Sequence, residues 1–183
     1  MPRAESTRRV FLIGFMGAGK TTVGKALAAR LGWKFCDLDQ VIEQREGKSV
    51  AAIFADQSEA GFRRAEAAAL LELMQESFSR DDLVVALGGG TFAQAANRDV
   101  LDRAGALTIL LDAPLNELRK RCMADGTVRP LLQQEQVFAE LFAARRPAYD
   151  LARHRVETAD KTVEQVAAEI EQILLAANPE VKL

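Results

Sequence analysis

Apolar and polar positions alternate along this chain with two distinct rhythms. Arg9-Val10-Phe11-Leu12-Ile13, Asp82-Leu83-Val84-Val85-Ala86-Leu87 and Ala106-Leu107-Thr108-Ile109-Leu110-Leu111 are short apolar runs with no helical spacing. Runs of this kind predict strands covered on both faces. Lys34-Phe35-Cys36-Asp37 and Arg155-Val156-Glu157-Thr158 are shorter, weaker strand candidates. Between them lie Ala/Leu/Glu/Arg stretches with helical spacing: Thr22 to Leu31, Gln40 to Glu46, Gly61 to Ser77, Asn97 to Ala104, Leu115 to Ala124 and Val137 to Ala144. Pro147 is expected to stop the last of these. A closing helix over Val163 to Ala177 carries its apolar stripe at Val163, Val166, Ala167, Ile170, Ile173 and Leu174, which reads as core packing.

Strands that alternate with helices predict a parallel sheet covered on both faces, an α/β fold. Ligands in such sheets bind beyond the carboxyl ends of the strands. The polar and glycine-rich departures all fall there: Gly14 to Thr21, Asp37 to Asp39 and Gly88 to Thr91.

The first of these, Gly14-Phe15-Met16-Gly17-Ala18-Gly19-Lys20-Thr21, fits G-x-x-x-x-G-K-[ST] at every fixed position, between a strand and a helix. In that setting the N–H groups of Gly17, Ala18, Gly19, Lys20, Thr21 and Thr22 point at a phosphate chain. Lys20 reaches the β- and γ-phosphates of ATP, and the Thr21 hydroxyl ligates Mg²⁺.

Asp37 and Asp39 are read as two carboxylates one residue apart in an extended stretch, pointing the same way. One would hold Mg²⁺, directly or through water, and the other would accept a hydrogen bond or proton from a substrate hydroxyl. The competing reading is a helix N-cap. Arg63 and Glu66 stand at i, i+3 and can pair on one helix face. Gly88-Gly89-Gly90 suggests backbone amides close to a ligand. Asp125 to Leu132 reads as a lid, with Gly126 for flexibility and Arg129 for phosphoryl charge. Arg145 is either a site residue or compensates a helix dipole, and the lone His154 reads as structural.

The 183 residues suggest one domain. The net charge of −2 gives no basic excess for nucleic acid. Met1 to Arg9 lacks the apolar core of a signal peptide, and no apolar run is long enough to span a bilayer. Two cysteines, Cys36 and Cys122, are too few for a disulfide framework or zinc site, and Cys36 reads as a small core residue. A soluble cytoplasmic protein is expected. The Thr/Asn-Lys-x-Asp and Asp-x-x-Gly motifs of GTPases are missing, and the intact Lys20, Thr21, Asp39, Arg63 and Arg129 argue against a dead P-loop regulator.

Taken in order, Gly-Phe-Met-Gly-Ala-Gly-Lys-Thr, Asp-x-Asp, Gly-Phe-Arg-x-x-Glu, Gly-Gly-Gly, Arg-Pro-Leu-Leu and Arg-x-Pro-x-Tyr resemble shikimate kinase, from Arg9 to about Ala177. The resemblance implies a single kinase domain over 1–183 of the nucleoside monophosphate kinase type: three α/β/α layers, a five-stranded parallel sheet, a substrate-binding segment at about 41–73 and a lid at about 122–136. It implies transfer of the γ-phosphate of ATP to the 3-hydroxyl of shikimate, by a protein expected to be a monomer. Asp39, Arg63 and Arg145 would hold shikimate with the Gly88-Gly89-Gly90 amides. Asp39 would assist loss of the hydroxyl proton, and Glu66 would orient Arg63. Lys20 and Arg129 would balance charge in the transition state, while Thr21 and Asp37 would serve Mg²⁺. Many members carry an adenine-stacking arginine upstream of the lid, at the position held here by Cys122; Arg121 is adjacent and Arg119 lies nearby, and a one-residue shift would give the contact to Arg121. The adenine loop falls around Val156 to Thr162. Gluconate kinase and nucleoside monophosphate kinases are the nearest alternatives.

Overall fold

A computed structural model describes residues 8–75, 81–124 and 134–177. Its strands are β1 (Arg9–Ile13), β2 (Lys34–Asp37), β3 (Leu83–Ala86), β4 (Leu107–Asp112) and β5 (His154–Glu157). They form one parallel sheet in the order β2-β3-β1-β4-β5. The described helices are α1 (Lys20–Leu31), α2 (Leu38–Glu46), α3 (Val50–Leu73), α4 (Ala95–Arg103), α5 (Leu115–Ala124), α6 (Glu135–Tyr149) and α7 (Val163–Ala177).

The strength of each strand signal follows its place in the sheet. Central β1, β3 and β4 are buried along nearly their whole length, so both faces select apolar residues. The edge strands have one neighbour each, and only Val156 is fully buried in β5. Phe11, Leu12 and Ile13 are essentially inaccessible, and side chains of that kind stabilise the fold by about 1.5–3 kcal/mol each. Helix α7 lays Val166, Ala167, Ile170 and Leu174 onto the core beside α1, and Arg30 on α1 pairs with Glu171 at 2.5 Å. Its stripe is therefore core packing. Cys36 is half-buried against the core, and burial followed by the charge of Asp37 pushes its thiol up to about 11.

Three expectations need correction. Helix α3 begins eleven residues earlier than the periodic stretch, at Val50 rather than Gly61. Ser58 breaks the helical backbone inside it (φ 62°, ψ 176°), which interrupts the apolar spacing that sequence periodicity relies on. Ser49 caps its start by accepting a hydrogen bond from Ala52 N. Pro147 lies inside α6 rather than ending it, and the helix runs on to Tyr149. With so little helix after it, Pro147 disturbs only the final turn. Asp39 does not lie in an extended stretch with Asp37. It sits in the first turn of α2, and Asp37 is the N-cap whose Oδ1 accepts from Asp39 N at 3.1 Å.

Because the order of strands reverses direction around β1, a crevice opens at the carboxyl ends of β1, β3 and β4. The loop from Met16, Asp39 in the first turn of α2 and the glycine run after β3 all face it.

Candidate active site

The loop after β1 turns on glycines in the left-handed region, Gly17 (φ 80°) and Gly19 (φ 88°). It is also wedged between neighbours. A Cβ on Gly14 would lie 2.6 Å from Leu111 O, and one on Gly17 would lie 2.8 Å from the Cys122 sulfur on α5. Neither position admits a larger residue. Gly19 is the N-cap of α1, with no side chain capping the helix and no acid in its first turn. The first N–H groups of α1 are thus left for an anion. Lys20 lies across the loop, donating from Nζ to Gly14 O (2.8 Å) and Phe15 O (3.2 Å).

Thr21 Oγ1 donates to Asp37 Oδ2 at 3.1 Å, so a hydroxyl from the first turn of α1 and a carboxylate from the end of β2 meet at the edge of the loop. Both are hard oxygen donors of the kind Mg²⁺ takes, alongside water and phosphate. Among the described residues no larger cluster of His, Cys, Asp and Glu offers a metal cage. A site completed by phosphate and water fits that pattern. Asp39, in the first turn of α2, has its carboxyl pushed up to about 6. Burial is the main cause, then the charge of Asp37. Lys20 opposes, and Glu66 and Glu43 add to the rise.

Across the crevice, α3 supplies Arg63 and Glu66. Arg63 Nη1 donates to Glu66 Oε2 at 2.9 Å, and its Nη2 lies 3.3 Å from Glu59 Oε1. Burial pulls the guanidinium down, but the hydrogen bond and charge of Glu66, then of Glu59, outweigh it and hold Arg63 above its ordinary value. From α6 comes Arg145, over the Phe15 ring at 5.7 Å. Among the described residues no carboxylate pairs with it. Tyr149, one turn later, donates its hydroxyl to Gly89 O. Burial pushes that phenol up to about 12, against the pull of the Arg145 and Arg63 cations.

The glycine run ties these groups together. A Cβ on Gly88 would lie 2.8 Å from Asp39 Oδ1, one on Gly89 3.2 Å from Arg145 Nη1, and one on Gly90 2.5 Å from both Nη atoms of Arg63. Three successive glycines thus seat an acid and two guanidinium groups from three different helices. None of the three has a left-handed φ, so close approach and not backbone freedom is their reason.

On the other side of the P-loop, Arg121 and Cys122 part ways. Cys122 is buried against Gly17. Arg121 faces the crevice, where Nη1 and Nη2 donate to Thr158 Oγ1 (2.8 Å) and Thr158 O (2.9 Å), and Nε to Glu117 at 3.2 Å. Arg129 and most of the expected lid lie outside the described residues. His154 opens β5 opposite Ile109 and does not line the crevice.

The crevice has a volume of about 880 Å³. It is lined by Lys20, Thr21, Thr22, Asp39, Arg63, Gly88 to Gly90, Arg121 and Arg145. Four contributors have no role assigned from the sequence. Thr91, fully buried, donates to Glu66. Tyr149 closes the Arg-x-Pro-x-Tyr motif, which gives no sign that its hydroxyl donates to Gly89 O. Phe54 and Phe62, stacked at 4.5 Å, form an apolar wall that α3 carries on both sides of Ser58, where the periodic signal is broken.

A family model for shikimate kinase matches residues 16–175. A shikimate kinase of Salinibacter ruber is 41% identical over 92% of this chain and 85% of that protein. Among solved structures, shikimate kinase from Acinetobacter baumannii in complex with shikimate superposes with a TM-score of 0.82 at 38% identity, over 95% of this chain and 96% of that one. The shikimate kinase of Aquifex aeolicus gives 0.78 at 33%, over 95% and 99%.

Proposed function

The chain belongs to the shikimate kinase family, and from that membership we propose how its residues divide the work of the reaction. The reaction is transfer of the γ-phosphate of ATP to the 3-hydroxyl of shikimate, giving shikimate 3-phosphate and ADP. The observation that carries the division of roles is the seating of Asp39, Arg145 and Arg63 on Gly88, Gly89 and Gly90, opposite the P-loop.

Shikimate is a carboxylate bearing three hydroxyls. Arg63 and Arg145 are its carboxylate anchors, since guanidinium groups take carboxylates in charge-assisted pairs. Arg145 has no acid partner among the described residues and is available for one. Asp39 accepts from the reacting hydroxyl. A carboxyl with its pKa near 6 is a better proton acceptor than an ordinary aspartate, and is still ionised at neutral pH. The Gly17 to Thr22 amides bind the ATP phosphates, and Lys20 leaves its carbonyl partners to meet charge as it develops on the γ-phosphoryl group. Thr21 and Asp37 hold Mg²⁺, which neutralises phosphate charge when bound. Arg121 packs on the adenine. Arg129, outside the described residues, is assigned to phosphoryl charge and the stretch at about 122–136 to a lid by the family resemblance, and the segment at about 41–73 to the acceptor side. We read the enzyme as a cytoplasmic monomer with one kinase domain over 1–183; the single five-stranded sheet and the family match over residues 16–175 support the one domain.

A coupled assay with ATP and a panel of shikimate, gluconate and nucleoside monophosphates tests the reading. Turnover confined to shikimate is expected. Comparable turnover with gluconate or a nucleotide acceptor would refute the assignment of the arginine pair.

A further inference from the structure

Glu66 is a buried carboxylate with two side-chain partners among the described residues: Arg63, which lines the crevice, and Thr91, which stands behind it. Its Oε2 takes Arg63 Nη1, and its Oε1 takes the hydroxyl of Thr91 at 2.6 Å. Both Glu66 and Thr91 are 0% exposed, so water cannot stand in for either. A carboxylate held by one hydrogen bond can rotate about its side-chain torsions. Held at both oxygens from opposite sides, it presents a fixed edge.

The backbone of Thr91 is itself pinned. Its N–H donates to Gly88 O at 3.1 Å, closing a turn across the glycine run. Its carbonyl accepts from Asn97 Nδ2 at 3.0 Å, and Asn97 is buried at the start of α4. The hydroxyl is therefore aimed by backbone contacts to Gly88 and Asn97 that are independent of Arg63. It stands where a Cβ on Gly88 would come within 3.0 Å of it, beside Glu66 Oε1 and Asp39 Oδ1. An alanine or valine in the same pinned position leaves Glu66 Oε1 facing a methyl group. A buried carboxylate oxygen that loses its donor turns toward another, and the nearby donor is the guanidinium of Arg63.

We infer that Thr91 is a positioning residue for the acid substrate, its hydroxyl fixing Glu66 so that Glu66 in turn holds the Arg63 guanidinium against Gly90. This rests on the reading of Arg63 as a carboxylate anchor. The polarity that makes the relay work is one-directional. Glu66 only accepts and Arg63 only donates, so the Thr91 hydroxyl, which can do either, must donate where it meets Glu66.

The test is steady-state kinetics on Thr91→Val, Thr91→Ser, Arg63→Ala and the double variant Thr91→Val/Arg63→Ala. Valine keeps the shape and removes the donor. The KM for shikimate is expected to rise about tenfold in Thr91→Val, as a difference of about 1.4 kcal/mol gives, with the KM for ATP unchanged. Thr91→Ser should restore the wild-type value. In the Arg63→Ala background the valine substitution should add nothing further. If Thr91→Val is too unstable to purify, Thr91→Ala carries the same expectations without added bulk.

A lowered melting temperature with an unchanged shikimate KM would make Thr91 a packing residue and overturn the relay. So would an equal rise in both KM values, a failure of serine to rescue, or a further full tenfold loss in the double variant. In each of those cases a raised shikimate KM in Arg63→Ala alone would leave the anchor reading standing. An unchanged KM in Arg63→Ala would overturn the anchor reading, and the relay with it.

Discussion

Gly90 lies flat against the guanidinium of Arg63: a β-carbon at Gly90 would stand 2.5 Å from both Nη atoms and 2.8 Å from Cζ. The backbone there tolerates any residue, so the constraint comes from the arginine alone. Gly90→Ala is therefore expected to fold and to push the guanidinium away from its place. The KM for shikimate should rise by about tenfold or more, in line with loss of a charge-assisted contact of about 1.5–3 kcal/mol. ATP binding, measured by calorimetry, should be unaffected. A variant with a wild-type shikimate KM would mean that Arg63 does not serve the acceptor.

Asp39 links activity to stability through one number. Its carboxyl is raised from 3.8 to about 6 in the folded protein, chiefly by burial and then by Asp37. Between those values the native state binds more protons than the unfolded one, so stability falls as pH rises through the window and is lower above it. The cost at neutral pH is on the order of 2–3 kcal/mol. Asp39→Asn, which cannot ionise, is expected to unfold at a higher temperature than wild type at pH 7.5 and at a similar one at pH 4. It should have almost no turnover. In the wild type, kcat/KM for shikimate should fall below about pH 6 as the acceptor oxygen is protonated. Equal thermal stabilities at pH 7.5, with no acid limb near 6, would remove Asp39 from the proton-transfer role.

The reach of the sequence follows from what each contact leaves in the chain. The P-loop is read in full because eight consecutive residues carry both its geometry and its chemistry. The core strands are read because burial on both faces forces apolar runs. For Asp37 and Asp39 the sequence leaves an extended pair and a helix N-cap both open, because a cap and a strand end share the same short polar signature, and the structure has the cap. The i, i+3 pair of Arg63 with Glu66 was legible, since the helix fixes that spacing. Thr91 was not, since its partner lies 25 positions away in the chain and reaches it only through the fold. The glycine run was read as a ligand contact, but which side chain each glycine makes room for depends on how α2, α3 and α6 converge.

Thr21 and Asp37 make a prediction about the metal. They meet at 3.1 Å, and Asp37 also caps α2 through its other oxygen. Asparagine caps helices as well as aspartate does. Asp37→Asn should therefore keep the fold while removing the charge that favours a divalent cation. The Mg²⁺ concentration for half-maximal activity is expected to rise about tenfold, equivalent to about 1.4 kcal/mol, and EDTA should abolish activity in wild type. An unchanged Mg²⁺ requirement in Asp37→Asn, with the melting temperature retained, would show that the carboxylate has no part in holding the metal.

Arg121 offers the last prediction, on the nucleotide side. The neighbouring Cys122 is directed into the protein, under Gly17, while Arg121 stays at the crevice, tied by two hydrogen bonds to Thr158. Thr158 is itself anchored, with its N–H and its hydroxyl both donating to Asp112 O, at 2.7 and 3.1 Å. A guanidinium plane fixed in this way can cover an adenine ring without further loss of side-chain freedom. A stacked cation on an aromatic face is worth about 0.5–2 kcal/mol. Arg121→Ala is accordingly expected to raise the KM for ATP by up to about thirtyfold, the factor that 2 kcal/mol corresponds to, and to leave shikimate binding alone. Thr158→Val, which removes one of the two ties, should show a smaller shift of the same kind. Comparison of ATP with inorganic tripolyphosphate as a competing ligand isolates the base: the loss in Arg121→Ala should appear with ATP and vanish with tripolyphosphate. A loss of equal size with both ligands would place Arg121 on the phosphates and leave the adenine to another residue.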